Sequence, residues 1–172
     1  MNEQELGRYL TGFQRTAFRF EIRDRYNSDI GREAFRKFLA GEPDNYAWHH
    51  GWLDMVRRDR EQGKRWQRVR IVSVPLSDWT RYGIEVARLS VQAGEDIRYL
   101  RRDLAEQIGL RPLDTWLFDD RQLVHLLFND EDDTFAGAEL VTDAAVLQQH
   151  QAWRDLAWQH AQRLDDFVAS LL

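Results

Sequence analysis

Residues 68–100 decide the fold, and they read RVRIVSVPLSDWTRYGIEVARLSVQAGEDIRYL. The β-branched run at 68–74 predicts a buried central strand. Ser77 or Asp78 offers the N-cap of a helix that Gly94 ends, and DIRYL predicts the next strand. A strand, a helix and a strand in this order predict a right-handed parallel crossover if the two strands are neighbours.

A second strand is predicted before this unit, in AFRFEIRDRY at residues 17–26. Phe18 and Phe20 alternate there with Arg19 and Glu21. Because successive side chains of a strand point to opposite faces, this period of two predicts one buried, apolar face and one polar face.

The C-terminal half predicts three short strands followed by a helix. TWLF, QLVHLLF and TFAGAELV lie between residues 115 and 141, and antiparallel hairpins are their natural arrangement. An apolar stripe at spacings of three and four predicts one long helix over about 143–170. The fold class is therefore α/β (α+β), with a mixed sheet of about six strands, flanking helices and a long C-terminal helix. We expect residues 1–172 to form a single domain.

Acidic residues separate these strands at Asp119-Asp120 and at residues 130–133. A magnesium or calcium site needs several oxygens that converge on one point, and adjacent residues in a tight turn rarely supply them. Asp favours turns because its side chain bonds the nearby backbone. We therefore interpret these acids as turn residues and expect no metal, with a metal site as the alternative.

Composition narrows the classes of function. The net charge is −5 and cysteine is absent, so the sequence carries no disulfide or thiol chemistry. An acidic chain does not favour direct binding to nucleic acid. No apolar run approaches the roughly 20 residues that span a membrane, and MNEQELGRYL does not resemble a signal peptide. We expect a cytoplasmic protein without a membrane segment.

Familiar catalytic motifs are missing from the sequence. No serine lies in G-x-S-x-G, no phosphate-binding glycine loop occurs, and no H-E-x-x-H spacing is present. The neighbours His49 and His50 would point about 100° apart on a helix and chelate poorly together. His125 and His150 are interpreted as core histidines whose polar atoms are hydrogen-bonded. No cofactor is predicted.

The richest polar constellation lies where the predicted parallel strands end. Ligands of open sheets favour the crevice beyond the carboxyl ends of such strands, and arginine, carboxylate and tyrosine suit a polar or anionic ligand. An ion-pair network with helix capping is the simpler interpretation. The candidate ligand- or partner-binding residues are Arg19, Glu21, Asp78, Arg81, Tyr82, Asp96, Arg98, Tyr99 and Trp116.

Several segments together resemble a known family. In chain order they are AFRFEIRDRY, RVRIVSVPLSDWTRY, AGEDIRYL, TWLFDD, GAELV and HQAWRDLAW. This series closely resembles the actinobacterial DUF6879 family over about residues 10–160. The resemblance implies an actinobacterial origin and a regulatory setting near helix-turn-helix regulators, and it implies no activity. Val74 stands where an acid is expected, which puts any role of that acid in doubt here.

A fainter resemblance concerns topology alone. A helix, a basic turn, a crossover and a hairpin reading WLFDDRQLVHLLF look similar to half of a phospholipase D-like domain. The H-x-K pair of those enzymes is missing from the corresponding PLDTWLFDD, so the resemblance implies an inactive half domain.

The leading hypothesis is a non-catalytic regulatory or binding module. It would act through a protein partner, such as a helix-turn-helix regulator, or through a small polar or anionic ligand, and Trp158 would offer an exposed aromatic contact. The alternative is a small hydrolase-like enzyme in which Asp78, Glu95 or Asp96 serves as general acid or base near the arginines.

Overall fold

A mixed sheet of seven strands organises the chain, as a computed structural model that describes residues 1–171 shows. The strand order is β6-β5-β4-β1-β2-β3-β7. The strands are β1 (Thr16–Glu21), β2 (Arg65–Val72), β3 (Asp96–Arg101), β4 (Thr115–Phe118), β5 (Gln122–Phe128), β6 (Phe135–Val141) and β7 (Gln162–Arg163).

Seven α-helices occur among the described residues. They are α1 (Glu3–Gly12), α2 (Arg32–Ala40), α3 (His50–Glu61), α4 (Asp78–Ala93), α5 (Arg102–Gln107), α6 (Ala144–His160) and α7 (Leu164–Ala169). A single 3-10 turn, Ala47–His49, leads into α3. In this described part of the chain, no helix is both long and apolar enough to cross a membrane.

The predicted parallel crossover is confirmed. β2 and β3 are parallel neighbours, and β1 runs parallel to β2 on its other side. Between β2 and β3, Ser77 caps α4 because its side chain accepts a hydrogen bond from the amide of Thr80. The three later strands form the predicted antiparallel hairpins, with β4 pairing antiparallel to β1.

The predicted mixed fold is confirmed, and the long C-terminal helix is present as α6, but it ends at His160 instead of about residue 170, and the sheet has seven strands where about six were expected. The helix breaks at Ala161, whose backbone is extended, and Gln162 and Arg163 then pair with the outer edge of β3. This seventh strand satisfies backbone groups that an open edge would leave unpaired. The chain turns back into α7, where Phe167 stacks on Tyr99 with ring centroids 5.0 Å apart.

The first strand is shorter than predicted, and both of its faces are buried. It ends at Glu21 instead of residue 26. Phe18 and Phe20 face the core under α5 and α6, while the other face lies under α1, α3 and α4. Arg19 on that second face is only 5% exposed. The alternation was therefore read correctly, but the polar face is covered by helices instead of solvent.

The acids between the strands do form turns. Asp119 and Asp120 both adopt positive φ, the conformation that a two-residue hairpin turn requires. The Asp119 carboxylate also accepts hydrogen bonds from the backbone amides of Gln14, Arg15 and Thr16 at 2.6–2.9 Å. These bonds fix the point at which the chain enters β1.

Candidate functional site

Four charged side chains line up on the polar face of β1 and β2. The parallel register places Arg19 beside Arg68 and Glu21 beside Arg70. Glu21 lies between Arg68 and Arg70 of β2: its carboxylate accepts hydrogen bonds from Arg68 Nη1 and from Arg70 Nε, the latter at 2.5 Å. The centre of the sheet therefore carries a buried carboxylate that two guanidinium groups share.

Glu21 is held in its ionised form. Burial acts to raise its pKa, but the charges of Arg68, Arg70 and Arg19 outweigh burial and hold the pKa well below the usual range. Arg68 is completed by a second carboxylate, because its Nε donates to Glu95 Oε1 at 2.8 Å. Both Glu21 and Arg68 are thus fully committed to partners inside the protein.

Arg70 has one nitrogen, with two N–H donors, in reserve. Its Nε binds Glu21, and its Nη1 donates to the carbonyl of Gly83 at 2.9 Å and to the hydroxyl of Tyr99 at 3.0 Å. Its Nη2 has no hydrogen-bond partner among residues 1–171. Arg70 also lines a cavity, so the side chain with this unpaired nitrogen borders a space that a small molecule can enter.

The cavity has a volume of about 370 Å³ and lies over the polar face of β1 and β2. Its floor is Glu21, Arg68 and Arg70, and its walls come from the loop after β1, from the 3-10 turn and from α4. Because the lining includes the last residues of both strands, the cavity reaches the carboxyl ends at which open sheets with parallel strands bind their ligands. The wall residues are Arg23, Tyr26, Ser28, Ile30, Trp48, His49, Val72, Trp79, Thr80, Tyr82, Gly83 and Val86.

The aromatic walls are fixed by packing from behind. Trp79 and Tyr82 contact Phe35 of α2 at ring-centroid distances of 4.9 and 5.3 Å. The Tyr82 hydroxyl approaches the carbonyl of Gly31 at 3.4 Å, and a Cβ added to Gly31 would lie 3.2 Å from Trp48. Gly31 also has a φ of 82°, which L side chains rarely adopt. A glycine is therefore needed where the loop meets both rings.

The pKa of His49 reflects both burial and the positive charge of the nearby arginines. Burial, followed by the charges of Arg68 and Arg70, lowers its pKa to about 4. A 2.9 Å hydrogen bond joins its Nε2 to Ser90 Oγ. The imidazole is therefore neutral at pH 7, and it lies in a region where arginine charge is felt.

A second buried cluster supports the tyrosine in the wall. Tyr26 Oη donates to Asp114 Oδ1 at 2.5 Å, and Arg19 Nη2 donates to the same oxygen at 3.1 Å. Burial raises the pKa of Asp114 and that of Tyr26. Arg19 thus contributes to the cavity indirectly, through the carboxylate that orients Tyr26.

Some of the residues predicted from the sequence meet at this site. Glu21 and Tyr82 line the cavity, Tyr99 lies behind it against Arg70, and Arg19 acts through Asp114 as described. Trp116 is buried next to Arg19, 5.8 Å from its guanidinium carbon, and does not line the cavity.

Four predicted residues lie elsewhere. Asp78 and Arg81 form an exposed ion pair of 2.6 Å on the first two turns of α4. Asp96 and Arg98 point to the opposite face of the sheet from the cavity, because they alternate with Tyr99 along β3. Arg98 lies 3.8 Å above the ring of Trp158, which is half-buried against the core and not freely exposed.

Sequence reasoning missed Arg68, Arg70, His49 and Trp79 as site residues. The signal for the first two was present in RVRIV: alternate arginines in a predicted central strand must share one face and need partners there. His49 and Trp79 join the site only through tertiary packing. Val74, the departure from the family pattern, is 42% exposed and outside the cavity lining.

His125 and His150, on the face of the sheet covered by α6, do not have the complete set of hydrogen bonds that we expected from the sequence. The Nε2 atoms of His125 and His150 are both buried without a hydrogen-bond partner among the described residues. The two ring centroids lie 5.1 Å apart, between β5 and α6. Within residues 1–171, no group of three or more histidine, aspartate or glutamate side chains is placed to hold a metal ion.

Comparison with known proteins places the chain in a family. A search of curated proteins finds no match. The sequence model described as "Domain of unknown function (DUF6879)" matches residues 4–169. Because this match spans nearly all of the chain, the protein belongs to the DUF6879 family.

Proposed function

We propose that the protein is a non-catalytic regulatory module that binds a small polar molecule in the cavity between β1, β2 and α4. One observation carries this proposal: the spare Nη2 of Arg70 belongs to the charged floor of a cavity whose walls are largely aromatic. A mostly apolar pocket with a few polar groups of fixed orientation is the usual design of a small-molecule site.

A purely structural ion-pair network is a weaker account of these charges. Glu21 and Glu95 balance Arg68 and Arg70, and all four side chains are largely withdrawn from water. Apolar residues of similar volume often stabilise a protein as well as a buried ion network does. A ligand site accounts for the network better, because the network fixes the orientation of Arg70 at the cavity floor.

Binding is favoured over turnover by the state of the carboxylates. Glu21 is the carboxylate of the cavity floor, and its lowered pKa makes it a poor proton acceptor or donor near neutral pH. Asp78 and Asp96, two of the acids considered for catalysis, lie outside the lining, and Glu95 is buried beneath Arg68 and Trp52. The sequence also lacks the H-x-K pair of phospholipase D-like enzymes, which supports binding without catalysis.

The segment between β1 and α3 is the part of the protein through which a partner would detect a ligand bound in the cavity. It supplies Tyr26, Ser28 and Trp48 to the cavity wall. It also carries Ile30 and Leu39, which are 69% and 55% exposed. We propose that a protein partner, such as a helix-turn-helix regulator, contacts this segment when a ligand holds it in place.

A matched pair of tryptophan substitutions tests the proposal. Ser28 is exposed and lines the cavity, whereas its neighbour Asp29 is exposed and does not. Ser28→Trp would block the mouth without entering the core, and Asp29→Trp is the control. We expect fragments that give saturation-transfer NMR signals with the wild type to lose them with Ser28→Trp and keep them with Asp29→Trp. Signals that survive in both variants, or a wild type that binds no fragment, would overturn the proposal.

A further inference from the structure

The chemistry of the cavity narrows its ligand beyond a small polar molecule. This inference rests on the proposed function and concerns three properties of the floor and walls: the sign of the charge, the number of free donors, and the shape of the apolar surface.

The sign of the charge favours an anion. The charges of Arg68 and Arg70 reach His49 across the cavity and help to keep its imidazole neutral. The carboxylate of Glu21 already accepts bonds from two guanidinium groups. The charges of the floor balance in number, but its unpaired group is Nη2 of Arg70, a donor from which an anion can accept a hydrogen bond and a cation cannot.

The number of donors favours one small anionic group. Arg70 offers a single free nitrogen with two N–H groups, because its other donors bind Glu21, Gly83 and Tyr99. Arg23 in the wall donates to Asp133 at 2.7 Å and to Asp130, which leaves only its buried Nε without a partner. A phosphate group, with three acceptor oxygens and nearly two charges, would be left largely unsatisfied here. A carboxylate needs fewer hydrogen-bond donors and less positive charge.

The shape of the walls favours a flat ring system. Trp48, Trp79 and Tyr82 present aromatic surface, and Ile30 and Val86 add aliphatic contacts. Aromatic side chains prefer offset-stacked or edge-to-face partners. A volume of about 370 Å³ is near the lower end for small-molecule pockets, which suits one ring or two fused rings.

We propose that the ligand is a planar aromatic monocarboxylate, whose carboxylate accepts a hydrogen bond from Arg70 Nη2 while its ring lies between Trp48 and Trp79. The carboxylate enters a region already neutralised by paired charges, so a single added contact decides its orientation. The ring supplies the remaining contact area through the aromatic walls.

The test compares acids with their uncharged amides on the wild-type protein. Titration calorimetry would use two pairs of probes, indole-3-carboxylate with its carboxamide and 2-naphthoate with its carboxamide. A hydrogen bond to a charged group contributes about 1.5–3 kcal/mol, so each acid is expected to bind about tenfold or more tightly than its amide. Inorganic phosphate at the same ionic strength should not displace the acid.

Variants then locate the contact. Arg70→Lys keeps a positive charge but removes Nη2, and we expect it to reduce the acid-to-amide ratio to near one. Ser28→Trp should abolish binding of both probes, and Asp29→Trp should not. If Arg70→Lys does not fold, two results still decide the matter: the ratio of acid affinity to amide affinity in the wild type, and the loss of all binding with Ser28→Trp.

The outcomes separate the two proposals. Equal binding of acid and amide, both blocked by Ser28→Trp, would overturn the monocarboxylate class and leave the cavity as a ligand site. Tight displacement by phosphate would likewise overturn the class. Failure of both probes would also overturn the class if other fragments bind in the cavity, and failure of every fragment would overturn the proposed function itself.

Discussion

The two faces of β1 and β2 are built from the same strands and are both buried, yet only one of them carries charged side chains in its centre. On one face Phe18, Phe20 and Ile71 pack under α5 and α6. On the other, Glu21 and Arg70 share hydrogen bonds beneath α3 and α4. A period of two in the sequence thus separates an apolar core from a charged one, each within a single layer of side chains.

We infer from this contrast that the fold does not require the charged face. An apolar layer stabilises by burial alone, without regard to orientation. Buried charges must instead be balanced in number and geometry, and they commonly contribute no more stability than apolar residues would. A protein that keeps such a layer at the carboxyl ends of its parallel strands has placed oriented charge where ligands bind.

The largest expected effect comes from removing the shared carboxylate. Glu21→Ala leaves Arg70 without its charged partner, and breaking a buried pair in this way costs about 3–5 kcal/mol. The double variant Glu21→Leu with Arg70→Met removes both charges and leaves Arg68 paired with Glu95. We expect urea denaturation to show that the double variant recovers more than half of the lost unfolding free energy.

The same double variant should lose any preference for acids over amides. If it were as unstable as Glu21→Ala, the charged face would be needed for folding and the contrast between the faces would be wrong. Arg68 loses its bond to Glu21 in both variants and keeps its bond to Glu95, so this loss is common to the two variants and cancels when they are compared.

The apolar face should respond differently to a truncation next to the same arginine. Ile71 is buried beside Arg70 on β2 and points to the other side. Ile71→Ala leaves a cavity and is expected to lower the unfolding free energy by about 3 kcal/mol, with no effect on ligand affinity. Denaturation and calorimetry on this variant would check both parts. A second substitution in the apolar core should not restore the stability lost with Ile71→Ala. Removing Arg70 together with Glu21 should restore most of the stability lost with Glu21→Ala.

Much of the fold was accessible from the sequence because local signals agreed. Ser77, Gly94 and the Asp119-Asp120 turn all mark boundaries that the structure keeps. The break after α6 was not accessible, since the apolar stripe continues through it. Gln162 and Arg163 become a strand only because β3 would otherwise expose its edge.

The candidate site was only partly accessible. Alternation placed Glu21 on a polar face, but nothing local indicated that helices bury that face. Asp96 and Arg98 were grouped with Tyr99 by sequence proximity, although a strand sends neighbours to opposite sides. His49 enters the site through the packing of the 3-10 turn near α4, which no local pattern encodes.

A smaller effect is expected from pH, and it concerns the face covered by α6. Burial, with the neighbouring charge of His150, lowers the pKa of His125; burial also lowers the pKa of His150 despite its bond to the carbonyl of Val146. Both rings bind protons less readily when folded, so their stability contribution is complete above about pH 6.5 and is lost as pH falls below it. Glu139, opposite His125, acts in the other direction.

The measurement is the unfolding free energy between pH 7 and 5. One excess proton on the unfolded chain changes it by about 1.4 kcal/mol per pH unit at most. We expect His125→Phe with His150→Leu to flatten this slope. His49, whose pKa is lowered to about 4, would sustain a remaining slope. An unaltered slope in the double variant would show that these histidines take no part in the acid response.

The smallest expected effect belongs to the exposed pair on α4. Arg81 contacts Asp78 in solvent, and such pairs contribute about 0–1 kcal/mol. Arg81→Ala should therefore leave the unfolding free energy nearly unchanged, and it should not alter the affinity for a cavity ligand because Arg81 does not line the cavity. Calorimetry with 2-naphthoate would check this against Arg70→Lys. A loss of affinity with Arg81→Ala would move the binding site from the buried floor to the outer surface of α4, where the sequence first placed it.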